Sequence, residues 1–129
     1  MRARIIFLAS AFLALAIPLY GQTAAGGAGA ATTAMIARGD TVFHGPGNCY
    51  ACHGSKGEGL VGPSLIDAEW VHSKGTVEEI AAQVAKGIPK EQSKSGIPMP
   101  PKGGSTMSDD DVKAVAAYVH SLSQKKPGS

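Results

Sequence analysis

Apolar positions fall at helical spacing in three stretches of the chain, and nowhere do they alternate long enough to read as a strand. In the first stretch Met35, Ile36, Gly39, Val42 and Phe43 share one face, with Thr33 as the N-cap and Gly45-Pro46-Gly47 as the stop. In the second, Val77, Ile80, Ala81 and Val84 form the stripe. Thr76 and Glu79 have capping-box spacing at its start, and Gly87 followed by Pro89 ends it. In the third, Val112, Val115, Ala116, Val119 and Leu122 face inward. Ser108 and Asp111 form a second capping box, and Met107 stands where a hydrophobic staple on Val112 needs it. Asp67 to Trp70 adds a short helical piece, and Lys90 to Ser105 reads as a long loop of the kind that carries function. The pattern predicts an all-α domain of three main helices and long loops. Gly39 lies on an apolar face, where its missing side chain lets a second helix approach at a cost of ~1 kcal/mol in helix propensity.

The ends of the chain do not follow this pattern. Arg2 and Arg4 precede an apolar run from Ile5 to Ile17, then Pro18 and small residues as far as Ala25, which is the layout of a secretory signal peptide over 1–25. The run is shorter than the roughly 20 residues of a membrane span, so it is read as cleaved; only as an uncleaved anchor would it hold the protein to a membrane. Residues 26–33, almost wholly Ala, Gly and Thr, form a flexible leader. The domain then occupies 34–123, and 124–129 is a disordered tail.

Composition narrows the function. The 12 basic residues exceed the 10 acidic ones only through Arg2 and Arg4, so the exported domain is neutral and lacks the basic excess that nucleic acid requires. Without the signal segment the aromatic residues are Phe43, Tyr50, Trp70 and Tyr118, few for a domain of a size at which burial is already limited. An inserted prosthetic group would supply several hundred Å² of apolar surface, worth on the order of ten kcal/mol of gross burial.

The cysteines name the group. Cys49 and Cys52 are the only two in the chain, three positions apart, and His53 follows directly. This is the spacing of covalent c-type haem attachment, in which each thiol adds across one vinyl group and the histidine meets the iron. Attachment needs reduced thiols in an oxidising compartment, which implies a dedicated maturation step. Gly54, Gly57, Gly59 and Gly62 then make an open loop that lets backbone pass close to a flat ligand. A metal-bound histidine usually donates its second ring N–H to a carbonyl, and that of Pro63 is the candidate acceptor. Zinc and thiol–disulfide chemistry use the same residue types. Zinc needs a fourth ligand in a paired motif, and adjacent Cys52 and His53 make an awkward tetrahedral corner. A thioredoxin-like pair opens a helix in a βαβ pattern, which this chain lacks.

A haem that only passes electrons has both axial positions filled, and His and Met suit a c-type haem. Met35 lies in a helix stripe and Met107 in the staple, so each has a packing role. Met99 sits in Gly96-Ile97-Pro98-Met99-Pro100-Pro101, where proline fixes φ at three of four consecutive positions. That stiffness suits a loop that holds sulfur against iron. His44, His72 and His120 are the competing ligands.

From Met35 to Leu122 the chain resembles the class I monohaem cytochromes c of bacteria, in particular the small type that also occurs in fused oxidase subunits. The resemblance rests on Ala37-Arg38-Gly39-Asp40-Thr41-Val42-Phe43, Cys49 to Gly54, Gly62-Pro63-Ser64-Leu65, Gly96 to Pro101, and Met107 to Val119. It implies the cytochrome c fold wrapped around one covalently bound haem c. It further implies thioether links at Cys49 and Cys52, axial ligation by His53 and Met99, and a bond from His53 to the Pro63 carbonyl. Helices crossing at Gly39 and Tyr118 are also implied. The expected role is a periplasmic one-electron carrier, or the carrier subunit of a redox complex, rather than an enzyme. The alternative is a haem sensor or peroxidatic enzyme with a labile sixth ligand. Lys86, Lys90, Lys94 and Lys102 flank Met99 with Glu91 as the nearby acid, so the expected partners are redox proteins with an acidic docking face.

Overall fold

Helix order carries the fold: α1 (Thr33–His44), α2 (Tyr50–His53), α3 (Val77–Lys86) and α4 (Asp109–Gln124). The computed structural model describes residues 31–124. The expected signal segment 1–25, residues 26–30 of the leader and 125–129 of the tail lie outside them. Helix α1 takes Thr33 and α4 keeps Gln124, so the helical domain is one residue longer at each end than 34–123. No helix among the described residues is long and apolar enough to cross a membrane.

The three long helices are the three apolar stripes, with differences at their starts. The N-cap of α1 is Thr32, not Thr33: Thr32 is extended and its hydroxyl accepts from Met35 N at 3.2 Å. Two adjacent threonines offer the same chemistry, and the one three residues before an unpaired helix amide takes the role. The α4 box is complete, with Asp111 N donating to Ser108 Oγ at 3.1 Å and Ser108 N to Asp111 Oδ2 at 3.2 Å. The α3 box is half made. Thr76 Oγ1 accepts from Glu79 N at 3.3 Å, but the Glu79 carboxylate takes Lys74 N at 2.8 Å and so secures the preceding loop. Asp67 to Trp70 is not helical; Asp67 Oδ1 accepts from Glu69 N at 3.2 Å, a local bond that competes with a helix. Lys90 to Ser105 is also more ordered than a bare loop. It holds 3₁₀ turns at Lys90–Gln92 and Pro101–Gly104 and an isolated antiparallel bridge between Ile88 and Met99.

Helices α1 and α4 cross at Gly39. A Cβ at this buried position would run into the Ala114 carbonyl and come within 2.7 Å of Tyr118 Cβ, so the two backbones touch where the sequence leaves out a side chain. An Arg38–Asp111 ion pair of 2.8 Å spans the edge of the crossing. Helix α3 packs on α4, and Val42, Phe43, Ile80, Val84, Met107, Val112, Val115, Ala116 and Val119 form the shared core. Met107 is buried beside Val112, as a staple requires. Phe43, Ile80, Val84, Val115 and Val119 also line an open cleft, so the core and the cleft share side chains.

Candidate haem-binding site

One wall of the cleft is built on the end of α1. Gly47 N donates to Val42 O at 2.9 Å and Cys49 N to Phe43 O at 3.1 Å, which turns the chain directly into α2. Asn48 makes that turn at φ 50°, a left-handed conformation that asparagine tolerates. Cys49, the N-cap of α2 with helical φ and ψ, and Cys52 and His53 within it stand at i, i+3 and i+4, so all three side chains leave on one side. Gly54 ends the helix at φ 84°.

His53 is the buried polar side chain of the described residues. Its Nδ1–H donates to the Pro63 carbonyl at 2.8 Å. A carbonyl only accepts, so the proton sits on Nδ1 and Nε2 keeps its lone pair for a metal. Burial lowers the pKa of the ring, with the Pro63 bond pulling the other way, and favours the neutral form that can ligate. Gly62 backs the ring: a Cβ there would lie 2.9 Å from His53 Cε1 and 3.0 Å from Nδ1.

The opposite wall carries Met99. Ile88 N donates to Met99 O at 2.8 Å and Met99 N to Ile88 O at 2.9 Å. This reciprocal pair ties the proline-rich loop to the end of α3. Gly87, at φ 73°, lets the two segments close, since a Cβ there would run into the Met99 carbonyl and come within 2.7 Å of Pro101 N. Past the prolines, Lys102 Nζ donates to Met107 O at 3.0 Å and Asp109 Oδ1 at 2.9 Å, anchoring the loop to the start of α4. Lys102 is therefore occupied, whereas Lys86, Lys90 and Lys94 are exposed.

Between the walls lies a cleft with about 1350 Å³ of empty space counted out to its open mouth, and Cys49, Cys52, His53, Pro63 and Met99 all line it. Its floor is apolar, formed by Phe43, Leu65, Ile80, Val84, Val115 and Val119. A large flat apolar group with a metal at its centre fits this apolar lining and this donor set. Of the competing histidines, His120 donates Nδ1–H to Gly75 O at 2.8 Å and His44 bonds outside the cleft; His72, exposed in a bend, does line it. Burial pushes the Cys49 thiol up to about 11, the reverse of a reactive thiolate. Among the described residues no group of three His, Cys, Asp or Glu is placed to hold a metal ion.

Residues 34–119 match the family described as cytochrome c oxidase, cbb3-type, subunit III. The chain belongs to this cytochrome c family. It is 32% identical over 94 residues to the cbb3-type cytochrome c oxidase subunit CcoP of Cereibacter sphaeroides, covering 69% of this chain but 28% of that protein. With the FixP subunit of Azorhizobium caulinodans it shares 38% identity over 87 residues, 63% of this chain and again 28% of the relative. The chain thus spans about a quarter of the length of the oxidase subunits it matches. Cytochrome c6 of Leptolyngbya boryana is 37% identical over 94 residues, 71% of this chain and 98% of that protein. The crystal structure of cytochrome CL from Methylophaga aminisulfidivorans superposes with a TM-score of 0.55 at 23% identity, over 69% of this chain and 53% of that one, which supports the fold. The protein is a class I monohaem cytochrome c, all-α, with covalently bound haem c.

Several cleft residues gave no sequence signal. Trp70 lines the cleft, with Gly75 at φ 82° leaving room for its indole, and Gln83 reaches the same space. Gly62 was legible only as one of a run of glycines, and its role behind His53 follows from the fold.

Proposed function

We propose that the protein is an exported one-electron carrier, free or as the carrier part of a larger redox complex, and that it holds haem c through thioether links at Cys49 and Cys52. His53 Nε2 and the Met99 sulfur are its axial ligands. The supporting observation is that one cleft gathers these four side chains, with His53 Nδ1 committed to Pro63 and the Met99 backbone pinned by Ile88. When bound, the haem supplies the Fe(II)/Fe(III) couple. The chain keeps the imidazole in one tautomer, presents a soft thioether from a stiff loop, and surrounds the group with apolar side chains. Thioether ligation and burial both favour the less charged Fe(II) and raise the potential. A clamped Met99 also speaks against a labile sixth ligand, and so against the sensor or peroxidatic alternative.

Lys94 lines the same cleft, Lys86 and Lys90 are exposed on the stretch before it, and these charges support docking of an acidic redox partner. Export to the periplasm rests on the reading of residues 1–25.

Spectra of protein matured in a host competent for haem attachment test the assignment. Haem should stay with the denatured chain in the wild type and be lost in the Cys49→Ala, Cys52→Ala double variant. Met99→Ala should abolish the sulfur–iron band, open the iron to carbon monoxide and lower the potential, whereas His72→Ala should leave all three unchanged. The reverse result for the last two variants would move the sixth ligand to His72.

A further inference from the structure

His44, the last residue of α1, has both ring nitrogens engaged. Nδ1 stands 2.8 Å from an Asp40 carboxylate oxygen and 3.0 Å from the Asp40 carbonyl oxygen. Nε2 stands 2.7 Å from the Ser55 carbonyl oxygen. All three partners are acceptors, so satisfying both sides takes a proton on each nitrogen. A neutral ring donates from one side only and turns its other lone pair toward an oxygen. The Ser55 bond joins the end of α1 to the loop just past His53, where Gly59 N donates back to His53 O at 2.7 Å and Leu60 N to Cys52 O at 3.2 Å.

His44 is exposed, and the groups that face its ring come from three elements and one loop. On α1 the facing charge is Asp40. From α2, Tyr50 stacks on the imidazole with centroids 6.1 Å apart, and from α4, Tyr118 meets it edge-on at 6.2 Å. Burial, with Asp40 nearby, pushes the Tyr118 phenol up to about 12, so it stays neutral. In the loop beyond Ser55 come Lys56 and Glu58, where Glu58 caps Lys56 N at 2.7 Å.

We infer that the His44 imidazolium is a positioning residue that ties the loop behind His53 to α1, so that its deprotonation loosens the haem-attachment turn and removes a positive charge behind it. The hydrogen bonds to Ser55 and then to Asp40 raise the ring's pKa above its ordinary 6.5. A raised folded-state value means both bonds are made together below 6.5, and one of the two is given up as pH rises through the folded value. For a haem carrier, which is the reading proposed above, a nearby cation favours Fe(II) over the more highly charged Fe(III). The reduction potential then falls as His44 loses its proton.

The test uses the holoprotein from about pH 5 to 9, the range in which histidines titrate. Proton NMR of the reduced protein should give His44 a pKa above 6.5. The wild-type potential should step down through that pKa. His44→Gln, which keeps a neutral donor toward Ser55 and takes no charge, should lose the step. Asp40→Asn should move it to lower pH. Above the step, the Gly59 and Leu60 amides should lose protection from hydrogen exchange in the wild type but not in His44→Gln at the same pH. A His44 pKa at or below 6.5, or a step that survives in His44→Gln, overturns the inference. The NMR value decides alone if the variant does not fold. Axial ligation is read separately, from the Met99→Ala spectrum at one pH, so either proposal can fail without the other.

Discussion

Ile88 and Met99 grip each other by their main chains, each donating its N–H to the other's carbonyl at 2.8 and 2.9 Å. The sulfur-bearing residue is thereby fixed by its backbone, and its side chain is free to face the cleft. Gly87→Ala tests this closure. The new methyl group meets the Met99 carbonyl at a φ of 73°, so a loss of about 2 kcal/mol in denaturant-measured stability is expected. The potential should drop with it as the sulfur is displaced.

The crossing of α1 and α4 depends on a missing side chain. Gly39→Val should cost about 3 kcal/mol, because the helix backbones must separate to admit it. A shift of the urea midpoint to lower concentration measures the loss, and the visible spectrum of the remaining folded fraction should be unaltered. An unchanged midpoint would show that the helices part freely at this point.

His53 is held from two sides, by an acceptor and by a space. Pro63→Ala keeps the backbone carbonyl that receives Nδ1–H, so little change in potential is expected. Gly62→Ala puts a methyl group 2.9 Å from the ring and should rotate it, with a larger shift in potential and in the spectrum. Equal effects of the two substitutions would contradict this division of roles.

Acid should weaken the start of α4. Bonds from Ser108, then from Arg38, hold the Asp111 carboxyl below its ordinary 3.8. A depressed folded-state pKa means the contribution is present above 3.8 and lost as pH falls through the folded value. Asp111→Asn should therefore flatten the fall in stability below about pH 4, followed by denaturation midpoints across pH in both proteins.

The helices were legible because their information is local. The stripes at Val77 to Val84 and Val112 to Leu122 repeat at the helical period, and Ser108 with Asp111 marks a start within four residues. The cysteine–histidine motif was legible for a similar reason, since one helical turn places Cys49, Cys52 and His53 on one side whatever else the chain does. Local readings failed where two local bonds competed. Thr32 capped α1 in place of its neighbour, Glu79 turned to Lys74, and Asp67 formed a turn where a helical piece was expected.

What the chain could not disclose by itself is which distant residues share a surface. Met99 stood out by its prolines, but its pairing with Ile88, the indole of Trp70 over Gly75, the room that Gly62 leaves for His53 and the reach of His44 to Ser55 all join residues through space. Such contacts arise only when α1, α3 and α4 pack and the loops between them find their lowest-energy paths. Periodicity and spacing specify elements and their chemistry, while the free energy of bringing separate segments together decides the site.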